Sequence, residues 1–237
     1  MVKKLHLLNF FADPEMYCIN NGKYMSTHES MFLIWKMLQY LKPQSVLEIG
    51  FGAGQTTGLI LEATLPTTKI ISVDISDQYF EQFRNRFLNN NLTLLHLDSN
   101  YLNLTQKFDF IYIDGDHTYN GITNDLNKCL PLLHQNSILC IDDYLFFDDV
   151  NQAIKEYLSE KHDFVPFLCG LQSMFFHHRD HNSIEFLDSY VMENTSDIME
   201  FKNIDFSGYT VLMGQILSVA LRENIEIFQK TLQFYEH

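Results

Sequence analysis

Glycines and carboxylates recur in this chain at points where a short apolar run has just ended. Val46-Leu47-Glu48-Ile49 runs into Gly50-Phe51-Gly52-Ala53-Gly54. Glycines in such a place let the backbone turn sharply and approach a ligand with no Cβ in the way. The spacing is G-x-G-x-G, and Gln55 stands where a dinucleotide fingerprint would carry its third small residue. No Gly-Lys-Ser/Thr follows, which excludes a phosphate-binding P-loop. Asp74 closes the next run, 20 residues beyond Gly54, where a carboxylate can accept both hydroxyls of a ribose. Asp98-Ser99 closes a third and is suitably placed for an adenine amino group. Asp114-Gly115-Asp116-His117 and Asp142-Asp143-Tyr144 close two more. Each acid alone also reads as a helix cap or a loop residue. Three such ends filled in order are harder to explain that way.

The elements that must position these residues follow from periodicity. Ser26-Thr27-His28-Glu29 is a capping-box pattern, and the apolar residues Met31, Leu33, Ile34, Met37, Leu38 and Leu41 behind it recur at helical spacing up to Pro43. Strands are expected at 45–49, 69–73, 92–97, 108–113 and 137–141, and helices at 56–65, 77–89, 118–133 and 148–159. This alternation means βαβ units and a parallel sheet with helices on both faces. The strands are continuously apolar, as they must be when both faces are covered. Residues 164–167 and 173–177, separated by Gly170, read as a closing antiparallel hairpin. His177-His178-Arg179-Asp180-His181 reads as its polar end rather than a metal site, because adjacent histidines diverge. Beyond His181, 184–199 and 209–235 read as helical, an extension that could cap the site, cover the sheet or serve as a homo-oligomer face. The division expected is an N-terminal segment with its cap helix at 1–43, a ligand-binding core at 44–181 and a helical extension at 182–237.

Composition narrows the chemistry. The 237 residues are 46% hydrophobic, enough to fill a core, so a wholly disordered chain is excluded. Acids outnumber bases 30 to 16 for a net charge of −14, which argues against nucleic acid and against an anionic membrane surface. A small neutral or cationic ligand suits this balance. The four cysteines are dispersed with no C-x-x-C pair, so structural zinc is disfavoured and a reducing, cytoplasmic setting fits. The start Met1-Val2-Lys3-Lys4 with its apolar follow-on is too short and too interrupted for a signal peptide, and no run approaches a membrane span.

On these residues the chain resembles the class I S-adenosylmethionine-dependent methyltransferases. Residues 46–54, Val73-Asp74 and Asp98-Ser99 look like their motifs I, II and III. Tyr112-Ile113-Asp114-Gly115-Asp116-His117 and Ile141-Asp142-Asp143-Tyr144 resemble the D-G-x-H and D-D-Y signatures of one branch, which contains small-molecule O-methyltransferases such as the macrocin- and novobiocin-type sugar enzymes. The similarity runs over roughly residues 25–178. It implies a Rossmann-like fold with a mostly parallel seven-stranded sheet and a closing antiparallel hairpin. It also implies a cofactor site of Glu48, Gly50, Gly52, Gly54, Asp74, Asp98, Ser99 and Asp114, with Met25 passing over S-adenosylmethionine.

The resemblance further implies Mg²⁺ held by Asp114, Asp142 and Asp143. Clustered carboxylates repel unless a cation lies between them, and oxygen donors favour Mg²⁺, Ca²⁺ or Mn²⁺. In an extended chain the side chains of Asp142 and Asp143 point to opposite faces, so one ligates directly and the other acts through a turn or water. His117 then serves as general base toward an acceptor hydroxyl. Asp116, at the x position, adds a negative charge beside it. The reading is methyl transfer to a hydroxyl of a small molecule. Its rivals are a metal-independent N- or O-methyltransferase, a nicotinamide oxidoreductase, whose glycine spacing would be wrong, and a non-catalytic nucleotide-binding module.

Overall fold

The computed structural model describes residues 28–87, 91–160, 162–181 and 199–216. Met25, the Ser26 cap, all but the last residue of the helix expected at 184–199, and the part of the helix expected at 209–235 beyond 216 lie outside them. The elements are α1 (His28–Leu41), β1 (Ser45–Ile49), α2 (Gln55–Ala63), β2 (Lys69–Asp74), α3 (Phe80–Arg86), β3 (Leu92–His96), β4 (Phe108–Ile113), α4 (Tyr119–Cys129), β5 (Leu133–Ile141), α5 (Asp148–Ser159), β6 (Phe164–Cys169), β7 (Met174–His178), β8 (Met199–Phe206) and β9 (Tyr209–Ile216). A short 3₁₀ turn, Ser99–Tyr101, follows β3, and a second, Leu130–Leu132, follows α4.

All nine described strands form one sheet in the order β3-β2-β1-β4-β5-β7-β6-β9-β8. β1 pairs in parallel with β2 on one side and β4 on the other, so strand order reverses between β1 and β4. The crevice beyond their carboxyl ends is where ligands bind in open α/β sheets. The continuous apolar runs are explained by two covered faces. Val46, Phe110 and Ile138 pack with Met31 and Trp35 of α1 and Leu59 and Ile60 of α2. Leu47, Ile111 and Leu139 face the other way, onto Ile122 and Leu126 of α4 and Ile154 of α5. At the opposite end Asp109 fixes the register: its Oδ2 accepts from the Gln44 and Ser45 amides at 2.7 and 3.0 Å, and His134 Nε2 lies 3.0 Å from its Oδ1.

Two expectations are corrected here. The sheet has nine strands among the described residues rather than seven, and the extra pair comes from the region read as helix. β8 and β9 pair antiparallel from Met199↔Ile216 to Phe206↔Tyr209. Ser207 and Gly208 close them with φ of 53° and 83°, the left-handed pair that a two-residue hairpin turn requires. β9 then joins β6 in parallel through Leu168↔Leu212 and Cys169↔Met213. Tyr209, Val211, Leu212, Met213 and Ile216 satisfy helical spacing as well as a covered strand, and the nearby Ser-Gly turn decides between them. No helix among the described residues is long and apolar enough to cross a membrane.

One buried polar tie crosses the central strands. Glu48 of β1 lies fully inside, on the α2 side of the sheet, and its Oε2 accepts hydrogen bonds from the hydroxyls of Thr57 and Ser72. Its Oε1 has no partner. Burial pushes the carboxyl up from 4.5 to about 8, with the two hydroxyls pulling only partly the other way. The folded protein therefore holds a proton on Glu48 that the unfolded chain gives up near 4.5. Stability from this group is complete below that value and is lost as pH rises through about 8. We expect Glu48→Gln, which keeps the neutral shape, to gain on the wild type by roughly 1 kcal/mol per pH unit between pH 5 and 8. Urea unfolding of both proteins across that range checks it, and parallel stability profiles would refute it.

Candidate active site

The glycine turn after β1 is where the site begins. The Gly50 amide donates to Val73 O at 2.8 Å and the Asp114 amide donates to Ile49 O at 2.8 Å, so the ladder continues one step past the strands. Gly50 has φ +96°, and a Cβ there would stand 1.9 Å from Asp114 O. Gly52 has φ +53° and an open side, with nothing within 4 Å of a Cβ built on it. Its amide donates to Asp74 Oδ2 at 2.8 Å. Gly50 is thus needed for the approach of two strands, whereas Gly52 keeps the floor of the hollow clear.

That hollow has a volume of about 410 Å³. It is lined by Gly50, Gly52, Asp74, Asp98, Ser99 and Asp114, among others, from the ends of β1, β2, β3 and β4. Six of the expected cofactor positions therefore meet in one place, and the size suits a nucleoside-bearing small molecule. Asp74 and Asp98 hold local turns as well: Asp74 Oδ1 accepts from the Ser76 amide and Asp98 Oδ1 from the Asn100 amide, each at 2.8 Å. These two acids thus hold local turns and also line the hollow.

Two expected cofactor residues stand elsewhere. Glu48 is turned into the sheet by strand alternation and bonds Thr57 and Ser72, so it does not line the hollow. Gly54 starts α2 and packs against the Phe83 ring, 2.4 Å from where its Cβ would be, so its smallness serves aromatic packing. Met25 lies outside the described residues. A residue that follows the D-G-x-H segment in the sequence, and to which the sequence alone gives no role, is Asp125 of α4. It is buried, and burial raises its carboxyl from 3.8 to about 6 against a hydrogen bond from Ser99. An acid at i+3 in the apolar stripe Ile122, Asp125, Leu126, Cys129 was the available signal.

Next to the hollow, three ligand atoms of Asp114, His117 and Asp143 lie within 4.8 Å of one another. His117 Nε2 is 3.2 Å from Asp114 Oδ1 and 3.2 Å from Asp143 Oδ2. The hydrogen bond to Asp114 raises the imidazole pKa, with the negative charges around it adding and partial burial opposing. The His117 ring stacks on Phe147, centroids 4.3 Å apart. Asp143 is left-handed, φ 61°, unusual for a residue with a side chain. That twist turns the carboxylate toward His117. Asp116, expected to act on His117, instead binds the Thr118 amide and hydroxyl at 3.0 and 2.9 Å at the start of α4.

Asp142 departs from expectation as a metal ligand. Its Oδ1 accepts from the Ser173 hydroxyl, and it is not among the three groups whose ligand atoms converge. Its Oδ2 is buried without a partner, and burial together with the Asp114 charge pushes its pKa far up. Burial of this kind favours the protonated carboxyl over the carboxylate. The carboxylate oxygens of Asp114 and Asp143 are donors that fit a hard divalent cation, with the His117 imidazole beside them.

The fold is that of the class I S-adenosylmethionine-dependent methyltransferases, and this junction of glycine turn, acids and hollow resembles their cofactor site. Comparisons agree at that level. Residues 47–144 match a family described as a methyltransferase domain. The malonyl-[acyl-carrier protein] O-methyltransferase of Acetivibrio thermocellus is 27% identical over 100 residues, 42% of this chain. The match spans only 35% of that relative's length. Among solved structures, the SAH-bound methyltransferase PaMTH1 of Podospora anserina superposes with a TM-score of 0.59 at 17% identity, over 73% of this chain and 88% of that one. The SAM complex of the O-methyltransferase TomG of Streptomyces achromogenes gives 0.56 at 13% identity, over 73% and 89%. The SAH complex of an O-methyltransferase from Bacillus cereus gives 0.53 at 17% identity, over 75% and 91%.

The two glycines should separate on mutation. Gly50→Ala forces a Cβ into Asp114 O and is expected to cost at least ~2 kcal/mol of unfolding free energy. Gly52→Ala should cost only the left-handed strain of about 1–2 kcal/mol in stability, less than Gly50→Ala, but weaken S-adenosylhomocysteine binding, because the added methyl faces the hollow. Equal stability losses in chemical denaturation would refute the distinction.

Proposed function

We propose that this protein transfers the methyl group of S-adenosylmethionine to a hydroxyl of a small molecule, with a divalent cation beside the transfer point. The observation that carries the reading is the position of Asp114. It lines the hollow and also belongs to the His117–Asp143 cluster, so donor site and acceptor site share one residue. Bound S-adenosylmethionine supplies an electrophilic methyl on sulfur. The chain's part is to bind and align. The Gly52 loop lets the ligand approach, Asp74 accepts ribose hydroxyls, and Asp98 and Ser99 face the adenine end.

Asp114 and Asp143 would hold the cation, whose charge would make an acceptor hydroxyl more acidic. His117 Nε2 lies between two carboxylates, which favour its protonated form. Once their charge is balanced by another cation, its Nε2 is the nearest group able to take the acceptor's proton. Beside it Leu145, Phe146, Phe147 and Leu171 are 52, 59, 41 and 40% exposed, a ledge suited to the apolar part of an acceptor. The acid-histidine arrangement supports the small-molecule branch that the D-G-x-H and D-D-Y signatures suggest. The O-methyltransferases among the similar proteins support oxygen as the target atom.

Calorimetric titration with S-adenosylhomocysteine tests the reading. The wild type should bind, and Asp74→Ala should weaken binding by about 1–3 kcal/mol. No binding by the wild type would sink the proposal. Asp143→Asn should remove binding of Mg²⁺ while leaving S-adenosylhomocysteine affinity in place. If Mg²⁺ binds neither protein, the metal-independent reading replaces the metal-assisted one.

A further inference from the structure

The acidic pair after β5 does not hold itself in place; the turn between β6 and β7 grips it. Four hydrogen bonds join the turn 170–173 to Asp142-Asp143-Tyr144. Gln172 O accepts from the Tyr144 amide at 3.2 Å, and Gln172 Nε2 donates to Asp143 Oδ1 at 2.8 Å. The Tyr144 hydroxyl donates to Gly170 O at 2.9 Å, and the Ser173 hydroxyl donates to Asp142 Oδ1. The turn is anchored in its turn: the Gly170 amide donates to Ser173 O at 2.9 Å, and the Ser173 amide to Ser30 Oγ of α1 at 3.1 Å.

Within this grip Gln172 has a particular place. It is buried, and it reaches Asp143 from the side opposite His117. One carboxylate oxygen is thereby used up by the amide, and the other, Oδ2, is left toward His117 and Asp114. A left-handed Asp143 is not the resting preference of this residue, so something outside it must fix its carboxylate. The donor matters too. An amide N–H₂ stabilises a carboxylate, whereas a carboxylate or thioether in the same position gives it nothing.

We propose that Gln172 is a positioning residue that orients Asp143 for a divalent cation, an inference that rests on the metal-assisted methyltransferase reading above. It acts through Asp143 and touches neither donor nor acceptor. Groups that orient a ligating carboxylate commonly govern metal affinity about 10- to 100-fold.

The test uses the full-length protein with MnCl₂ as the probe, its binding followed by the loss of free Mn²⁺ electron paramagnetic resonance signal. Gln172→Met keeps length and apolar bulk but removes the donor; Gln172→Glu keeps shape but puts a second carboxylate against Asp143. Both are expected to weaken Mn²⁺ binding at least ~10-fold, while S-adenosylhomocysteine affinity by calorimetry stays within about twofold and the melting temperature within a few degrees. Wild-type Mn²⁺ affinity in both variants overturns the proposal. So does collapse of the fold in both, since Gln172 is then a folding element only. Failure of the wild type to bind Mn²⁺ also overturns it, and intact S-adenosylhomocysteine binding in that case leaves methyl transfer standing. Loss of S-adenosylhomocysteine binding by the wild type instead removes the parent reading.

Discussion

The site depends on one close approach, the backbone of Gly50 against the carbonyl of Asp114. Parallel pairing of β1 with β4 brings the two strand ends side by side, and the ladder bonds past Ile49 and Ile113 keep them there. No Cβ fits between them. Because of this contact the glycine loop and the Asp114 to His117 segment share a wall. A ligand lying on the first must meet the second. Everything catalytic in the proposal is a consequence of that shared wall, and the Asp109 tie at the far end of β1, β4 and β5 holds the strands in the register that produces it.

Charge is the second organising force. Burial raises the proton affinity of Asp114 and Asp142, and the charges of their carboxylate neighbours add to it. The chain relieves the strain differently at each acid. Asp143 takes the Gln172 amide, Asp142 takes the Ser173 hydroxyl and is pushed toward its neutral form by burial, and Asp114 takes His117. His117 Nε2 is shared between the Asp114 and Asp143 carboxylates, so a positive charge brought in from outside acts directly on its partners. A chain with 30 acids and 16 bases has little cationic material of its own to spare for this pocket.

Much of this was legible in the sequence. Uninterrupted apolar runs identified β1, β2, β4 and β5, because a strand covered on both faces leaves no room for alternation. The residue following each run was then the residue at the crevice, which located Gly50, Asp74, Asp98 and Asp114. Side-chain direction was less legible. Glu48 belongs to the same run as Gly50, but alternation sends it into the sheet, and only the pairing of β1 with β2 puts Ser72 beneath it. Asp142 and Asp143 could not be told apart, since the left-handed turn at Asp143 reverses the expected alternation. Gln172 and Ser173 act across about 30 residues of chain, and no local spacing announces such a contact. The β8–β9 hairpin was hidden because its apolar residues fit two periods at once.

Asp143 has a second attachment through its main chain. Its carbonyl accepts the amides of Phe146 and Phe147 at 3.1 and 3.2 Å, so the turn bearing the exposed aromatic ledge is built directly on the residue whose carboxylate faces His117. A rotation of that one peptide unit would tilt the ledge and swing the carboxylate together. The setting of the exposed aromatic turn and the aim of the Asp143 carboxylate are thus geared to a single hinge, and neither can be retuned by evolution or by design without moving the other.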